Sequence, residues 1–368
     1  MTKFKRKKLK RKFLKFSGTT ILLLILSLGT VKNLNAQFGG GDGLSKATAY
    51  EIYTKAHLQE LHDSMLVIII PPFTNWTNGK HFRLMNDIDN VDFIIGGGIF
   101  YFQGHFHGGG NRITLEINAS VSYVALFTGL GGGGSIDSLE VDGYVTNSAS
   151  SGFAAGIVSH IIGMGNVVSN STNNATITCN AFAGHGASGI INILPYGSLV
   201  LNCINNGTII SNFSGLAAGI ATNVTGDVIN SINNGKIIVT HNNNIAMGYD
   251  VGGVVSGTAD NAKILGSLNL GTIEVNVITV GATGGIGGIV GGTYGKNAKI
   301  SHNSNHGFIK SNRTTGGVVG FLSSGNTAEN NFNSGVLEGA TIGCIVGENA
   351  GGTIINNHYD EQMCGEED

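Results

Sequence analysis

Val200-Leu201-Asn202-Cys203-Ile204-Asn205-Asn206-Gly207-Thr208-Ile209 decides the fold, because the chain repeats it. It returns as Val228-Ile229-Asn230-Ser231-Ile232-Asn233-Asn234-Gly235-Lys236-Ile237. Weaker copies surround Asn269 and Gly271, Asn305 and Gly307, and Asn333 and Gly335, and a blurred one has Asn173 with Ala175 in place of the glycine. The asparagine falls at 173, 205, 233, 269, 305 and 333, at intervals of 32, 28, 36, 36 and 28 residues. A second motif runs between copies, as Ala155-Gly156-Ile157-Val158, Gly253-Val254-Val255, Gly288-Ile289-Val290-Gly291 and Gly317-Val318-Val319-Gly320. A period near thirty in a glycine-rich chain specifies a stacked array, not a closed globule.

The columns of the repeat have a physical reading. Five residues before the asparagine stands Val168, Val200, Val228, Ile264, Ile300 or Ala328, and four after it Ile177, Ile209, Ile237, Ile273, Ile309 or Leu337. Mostly β-branched columns in short runs bounded by Gly and Asn are strand signals. The Asn-x-Gly between them reads as a bend, with Gly supplying a left-handed backbone. One unit is therefore strand, bend, strand, loop, then the Gly-Gly-Ile-Val strand. About seven coils stacked about 4.8 Å apart are predicted. Asn173, Asn205, Asn233, Asn269, Asn305 and Asn333 then fall in line, with Gly207, Gly235, Gly271, Gly307 and Gly335 beside them. Such amides can bond along the axis as a ladder, the alternative being that each asparagine sits exposed in its turn. Either role is structural, and none of these residues is reactive.

Composition agrees. Of 368 residues 59 are Gly and only 3 are Pro, and 12% are charged, against about 25% in ordinary domains. Parallel strands buried in a stack need few charges. The fold class expected is all-β, a right-handed parallel β-helix with a short N-terminal capping helix.

Residues 1–36 read as a secretory signal peptide. Lys3, Lys5, Arg6, Lys7, Lys8, Lys10, Arg11, Lys12 and Lys15 form its basic region, and Thr19 to Val31 its apolar run, with cleavage expected after Ala36. The alternative is an uncleaved anchor. Ten of the 21 Lys and Arg, counting Lys32, lie in this leader, which holds no acid; the remaining 11 face 23 Asp and Glu, a net charge of −12. Such a surface disfavours nucleic acid and anionic membranes as partners.

Residues 37–120 read as an N-terminal capping segment, 121–357 as the repeat β-helix and 358–368 as an acidic tail. Gly39 to Gly43 is a flexible lead and Ala49 to Ile52 a strand. Leu58, Leu61 and Met65 at helical spacing after Thr54 predict an amphipathic helix with Thr54 as its N-cap, covering the open end of the stack. His57, Glu60 and His62 do not have the spacing of a zinc protease helix. His105 and His107 share one face of a strand and, with Asp87, Asp89 or Asp92, have the donor types for Zn²⁺; a stacked surface pair is the plainer reading. No metal or cofactor is assigned.

Further blocks carry a family resemblance. They are Lys80-His81-Phe82-Arg83-Leu84, Asn86-Asp87-Ile88-Asp89, Phe102-Gln103-Gly104-His105-Phe106-His107-Gly108-Gly109-Gly110-Asn111-Arg112-Ile113 and Tyr123-Val124-Ala125-Leu126-Phe127. With the repeats above, they resemble bacterial secreted or surface proteins that carry GLUG repeats, over roughly residues 40–360. The resemblance implies a right-handed parallel β-helix displayed at or released from the cell surface, adhesin-like. The chain departs from the family pattern at His107, where an Asp is usual, and at Gly109-Gly110, where Gly-Asn is usual. A cation bound at that bend in relatives does not carry over.

Cys179, Cys203, Cys344 and Cys364 occupy unlike repeat positions and form no disulfide framework; Cys203 and Cys344 read as small buried residues. The chain has no nucleophile elbow, P-loop, zinc-protease helix or dinucleotide fingerprint. Carboxylates are sparse in the repeats, and of Asp227, Asp250, Asp260, Glu274, Glu329, Glu338 and Glu348 only Asp250 and Asp260 share a loop's neighbourhood. The reading is a non-catalytic, exported binding protein for a glycan or a protein surface, with end-to-end self-association as a further expectation. The alternatives are a polysaccharide lyase or glycoside hydrolase on the same scaffold, and the N-terminal repeat region of a larger surface peptidase.

Overall fold

In the computed structural model, residues 38–66, 75–182, 185–213, 215–241, 248–278 and 284–364 are described. The leader, its cleavage point and Glu366, Glu367 and Asp368 lie outside the described residues.

One turn of the chain shows the plan. Leu199–Leu201, Ile204–Asn205, Ile209–Ser211, Gly215–Ala218 and Ala221–Val224 follow one another, and Asp227–Ile229 begins the next turn directly beside Leu199–Leu201. Each turn thus spends five short strands on four sheets, two strands falling in one sheet. Every strand-to-strand pairing is parallel, and neighbouring strands in a sheet are one turn apart in sequence. Among the described residues the first sheet has 11 strands, from Tyr50–Ile52 to Thr353–Ile355; the second has 16; the third and fourth have 8 each, starting at Tyr123–Val124 and Phe127–Gly131. The protein is a parallel β-solenoid. Its first and second sheets run past residue 120 unbroken, with Arg112–Ala119 of the second paired along its full length to Glu140–Asn147.

The β-branched columns are the core. Val168, Val200, Val228, Ile264, Ile300 and Ala328 stand in register and are fully buried. So are Ile177, Ile209, Ile237, Ile273 and Ile309, with Leu337 5% exposed at the end of the row.

The turn chemistry differs from the sequence reading. None of Gly207, Gly235, Gly271, Gly307 and Gly335 has a left-handed backbone. That role falls three residues before each ladder asparagine, to Asn170 (φ 49°), Asn202 (53°), Asn230 (50°), Gly266 (60°), His302 (58°) and Asn330 (53°). Asn tolerates this region better than other side chains. The Asn-x-Gly glycine is required for a different reason: a Cβ at Gly207 would sit 2.0 Å from the Ala175 carbonyl oxygen, and at Gly235 2.0 Å from that of Gly207. Stacking of coil on coil leaves no room for a side chain there.

The Gly-Gly-Ile-Val motif is a corner between the third and fourth sheets. Tyr249–Gly252 and Val255–Thr258 flank it, and every residue of both strands is buried. The backbones of the two sheets approach too closely for side chains: a Cβ on Gly285 would lie 2.2 Å from Gly291 O and 2.4 Å from Phe321 N. The two sheets therefore touch along this corner, and the groove beside it is lined by residues of both, Tyr249 and Thr314 from the third and Phe321 from the fourth.

The predicted helix is present as α1, Lys55–Met65, with Thr54 Oγ1 accepting from His57 N. Leu58, Leu61 and Met65 are fully buried. The glycine lead is not free: Gly39 N donates to Glu51 O and Glu51 N to Gly40 O, which ties it along the first strand. No helix among the described residues is long and apolar enough to cross a membrane.

Candidate functional site

The six ladder asparagines are stacked in register and fully buried. Nδ2 of Asn173 donates to Oδ1 of Asn205 at 2.7 Å, and the relay continues through Asn233, Asn269, Asn305 and Asn333 at 2.8 Å per step. Nδ2 of Asn173, Asn205 and Asn233 also reaches the carbonyl two residues on. The second motif belongs to the same structure. A Cβ at Gly253 would stand 2.5 Å from Asn269 Cγ, and Gly156, Gly189, Gly219, Gly288 and Gly317 meet their own asparagines as closely. The sequence motifs that look independent are a ladder and its cradle. The ladder builds the stack and offers solvent nothing.

A second polar column was not read from the sequence. Cys203 N donates to Ser231 Oγ, Ser231 N to Ser267 Oγ, Ser267 N to Asn303 Oδ1 and Asn303 N to Asn331 Oδ1. Cys203 thus takes the place of a stacked serine, a size match that spacing alone did not reveal. Burial pushes its thiol up to about 12 and that of Cys179 up to about 11. None of the four cysteines is in a disulfide, and all are buried.

Three histidines gather near the N-terminal end. His105 and His107 are joined by His81, which stacks on both at 4.6 and 5.3 Å between ring centroids. His81 Nδ1 and His107 Nε2 are 3.0 Å apart, and His105 Nδ1 bonds Ser135 Oγ at 2.9 Å. Burial, with Lys46 and His81 adding to it, lowers His107 to about 4. The acids suggested as co-ligands are elsewhere: Asp87 and Asp89 face Arg112, and Asp92 faces Lys55 at 2.6 Å. No group of three or more His, Cys, Asp or Glu able to hold a metal is found among the described residues. In α1, His57 Nδ1 accepts from Tyr53 N and His62 Nδ1 from Gly96 N.

The groove between the third and fourth sheets is the surface with binding character. Near its C-terminal end it widens into a pocket of about 540 Å³ lined by Tyr249, Tyr294, Arg313, Thr314, Phe321 and Glu348. The Tyr294 and Phe321 rings stack at 5.9 Å and 24°, and the Arg313 guanidinium lies over the Tyr249 ring at 5.5 Å. Beneath Tyr294 lies Asp250. Its Oδ1 accepts from Tyr294 Oη at 2.6 Å and from Gly285 N at 3.1 Å. Burial outweighs both bonds and pushes the carboxyl up to about 7. Room for it comes from Gly292, where a Cβ would be 2.5 Å from Asp250 Oδ1. Asp260 does not join it; its carboxylate accepts from Lys296 N.

Near the N-terminal end a second pocket, of about 370 Å³, lies between the same two sheets, and its lining includes Val121, Tyr123, Thr128 and His160. His160 stacks on Tyr123 at 4.2 Å and meets Tyr101 edge-on at 5.0 Å. Its Nδ1–H donates to Thr128 O at 3.1 Å, and burial lowers its pKa. A third hollow, about 320 Å³ on the second sheet, contains no aromatic ring; its Glu274 and Lys310 are paired with Lys236 and Glu338.

No family model matches the sequence. A "Putative Gly-rich membrane protein" of Evansella cellulosilytica is 32% identical over 121 residues, covering 30% of this chain and 13% of that relative. The chain thus matches about an eighth of that relative's length. A crystal structure described as a putative immunoglobulin A1 protease from Bacteroides ovatus superimposes with a TM-score of 0.55 over 88% of this chain and 87% of the other, at 17% identity. Likeness at that identity speaks for the backbone alone, and what it shows is a shared β-solenoid architecture.

Proposed function

We propose that the chain is a non-catalytic binding protein, exported to the cell surface or beyond, which takes a glycan in the groove between the third and fourth sheets. The stacked Tyr294–Phe321 pair in the larger pocket carries this reading. Aromatic faces present apolar area of fixed shape, and sugar rings expose a complementary face of C–H groups between hydroxyls. Thr314, Arg313 and Glu348 at the same pocket supply polar groups to orient those hydroxyls. The basic leader and its apolar run support export, as does the adhesin-like repeat.

A glycan array probed with the mature chain and with Phe321→Ala tests the reading. Binding by the mature chain and its loss in the variant is the expected result; binding unaffected by Phe321→Ala overturns it. Incubation with polysaccharides runs alongside. Release of unsaturated or hydrolysed products would select the lyase or hydrolase alternative, for which Asp250 is the motivating group. A carboxyl held near neutral pH suits a general acid, but this one lies beneath the Tyr294 hydroxyl.

A second reading, the repeat region of a larger surface peptidase, is motivated by the Bacteroides ovatus likeness. Cleavage of immunoglobulin A1 by a longer protein carrying these repeats, and not by the repeats alone, would favour it.

A further inference from the structure

We infer that the ligand of the groove is a linear, uncharged polysaccharide lying along the solenoid axis and occupying both aromatic pockets at once. This rests on the glycan reading above and adds the polymer's shape, charge and minimum length.

Strand register places both pockets on one track. On the fourth sheet a single column runs Gly129, His160, Ile193, Asn223, Gly257, Gly292, Phe321, Glu348. On the third sheet Tyr123 pairs with Phe153, and Leu216 with Asp250, in the column that faces it. His160 and Tyr123 belong to the smaller pocket, Phe321 and Glu348 to the larger. His160 and Phe321 stand on strands five places apart in the fourth sheet. At about 4.8 Å per strand the two aromatic platforms are about 24 Å apart along the axis. That span is longer than a disaccharide and parallel to the groove, so one straight chain meets both platforms where a branched or compact glycan cannot.

The track between them determines charge. Its half-buried steps are Ile193, Asn223 and Leu216; Gly257 and Gly292 beyond them are buried beneath Tyr294 and Asp250, so the Tyr294 ring forms the surface there. The one carboxyl beside it, Asp250, is buried under Tyr294. Among the described residues the track therefore offers apolar contact at Ile193 and Leu216 and an amide at Asn223, with no row of cations to match a polyanion. Arg313 and Glu348, of opposite sign, stand at one end only. The predominantly acidic mature chain repels polyanions besides.

Two subsites joined by one ligand bind with an avidity that appears only when the ligand spans both. Calorimetry with neutral linear oligosaccharides of increasing length, in β-1,4-glucan, mannan and xylan series, tests this on the mature chain. Affinity is expected to rise with length and level off once the ligand reaches both pockets, by roughly a hundredfold overall. Tyr123→Leu at one end and Phe321→Leu at the other should each flatten that rise while leaving the shortest ligands' affinity at the opposite pocket unchanged. Thermal unfolding confirms that both variants fold, and Val121→Ala provides a milder change at the first pocket should Tyr123→Leu fail. Equal affinity for the shortest and longest ligands overturns the two-pocket inference and leaves the glycan reading standing. Stronger binding of pectate or another polyanion at the groove overturns the uncharged assignment. No binding of any saccharide overturns both.

Discussion

Asn333 Nδ2 points at the sulfur of Cys364, 3.7 Å away, so a thiol terminates the buried amide relay. The short 3-10 turn Glu361–Cys364 brings the cysteine there and buries it to 2% exposure. At the opposite end Asn173 Oδ1 has no partner, because the preceding coil carries Val141 in that column. The relay thus begins on an unpaired oxygen and ends on a weak acceptor, and its strength lies in the middle.

Asn269→Ala, with a neighbour on each side, should lower stability by about 1–3 kcal/mol. Asn333→Ala should cost less, and Cys364→Ala less again. Denaturant melts compare the three. Equal and negligible losses would mean that the relay does not support the stack.

Gly253→Ala places a Cβ 2.1 Å from Gly288 O and 2.5 Å from Asn269 Cγ. Backbone cannot move aside without disturbing two coils, so the loss should be about 1–3 kcal/mol or more. Gly133→Ala is the contrast: it meets nothing within 4 Å and bears only the strain of φ +76°, about 1 kcal/mol. Thermal unfolding of the pair checks the order.

Asp250 and His107 should give stability opposite dependences on pH. The Asp250 carboxyl is raised from 3.8 to about 7, so between those values the folded chain holds a proton that the unfolded chain has released. Its contribution is fully present below the lower value and lost as pH rises through the upper one. Asp250→Asn should remove that fall and leave the variant the more stable near about pH 8. His107 is lowered from 6.5 to about 4, amid Lys46, His81, His105 and Asp137. Its contribution is present above the higher value and lost as pH falls toward the lower. His107→Gln should flatten the acid side only. Urea melts across the range separate the two, and an unchanged profile in either variant rejects that assignment.

Ile354 continues the core column from Ala328 yet is 45% exposed, and Ile355 beside it 42%. Asp360 and Glu361 lie in the neighbouring closing segment. Self-association is expected to grow with ionic strength, since salt shortens the reach of these charges to about 8 Å at physiological strength. Light scattering over a salt series measures it; a monomer at about 1 M salt would mean that the apolar edge does not attract its own kind.

Much of this was legible in the sequence. The asparagine column, the two β-branched columns and the Thr54 cap declare themselves because each is a local pattern that repetition makes visible. The reason for the glycines was not legible. A left-handed turn and a carbonyl from the next coil both select Gly, and only coordinates separate Gly266, which turns, from Gly271, which yields space. The groove was also hidden. Tyr123, His160, Tyr294 and Phe321 are not repeat residues; His160 and Phe321 share a column with Gly129, Gly257 and Gly292, and register must be known before they line up. The signal was there as variation within the Gly129-to-Glu348 column. His81 was missed because its partner strand lies 24 residues away, outside the pair His105 and His107 that drew notice.

Every ladder step presents an acceptor of one kind to a donor of one kind, and Gly189 cradles Asn205 just as Gly219 cradles Asn233. A coil is therefore a cassette. Excision of residues 205–232 would bring Ile204 directly before Asn233, in the place Ile232 now holds, and remove Asn205 and Gly219, leaving Gly189 to cradle Asn233. The length differences between coils reside in the connections and leave the columns alone. Such a chain should fold into a solenoid shorter by one turn, with its remaining junctions unaware of the loss, so that the length of this molecule is free to vary in whole units while its cross-section is not.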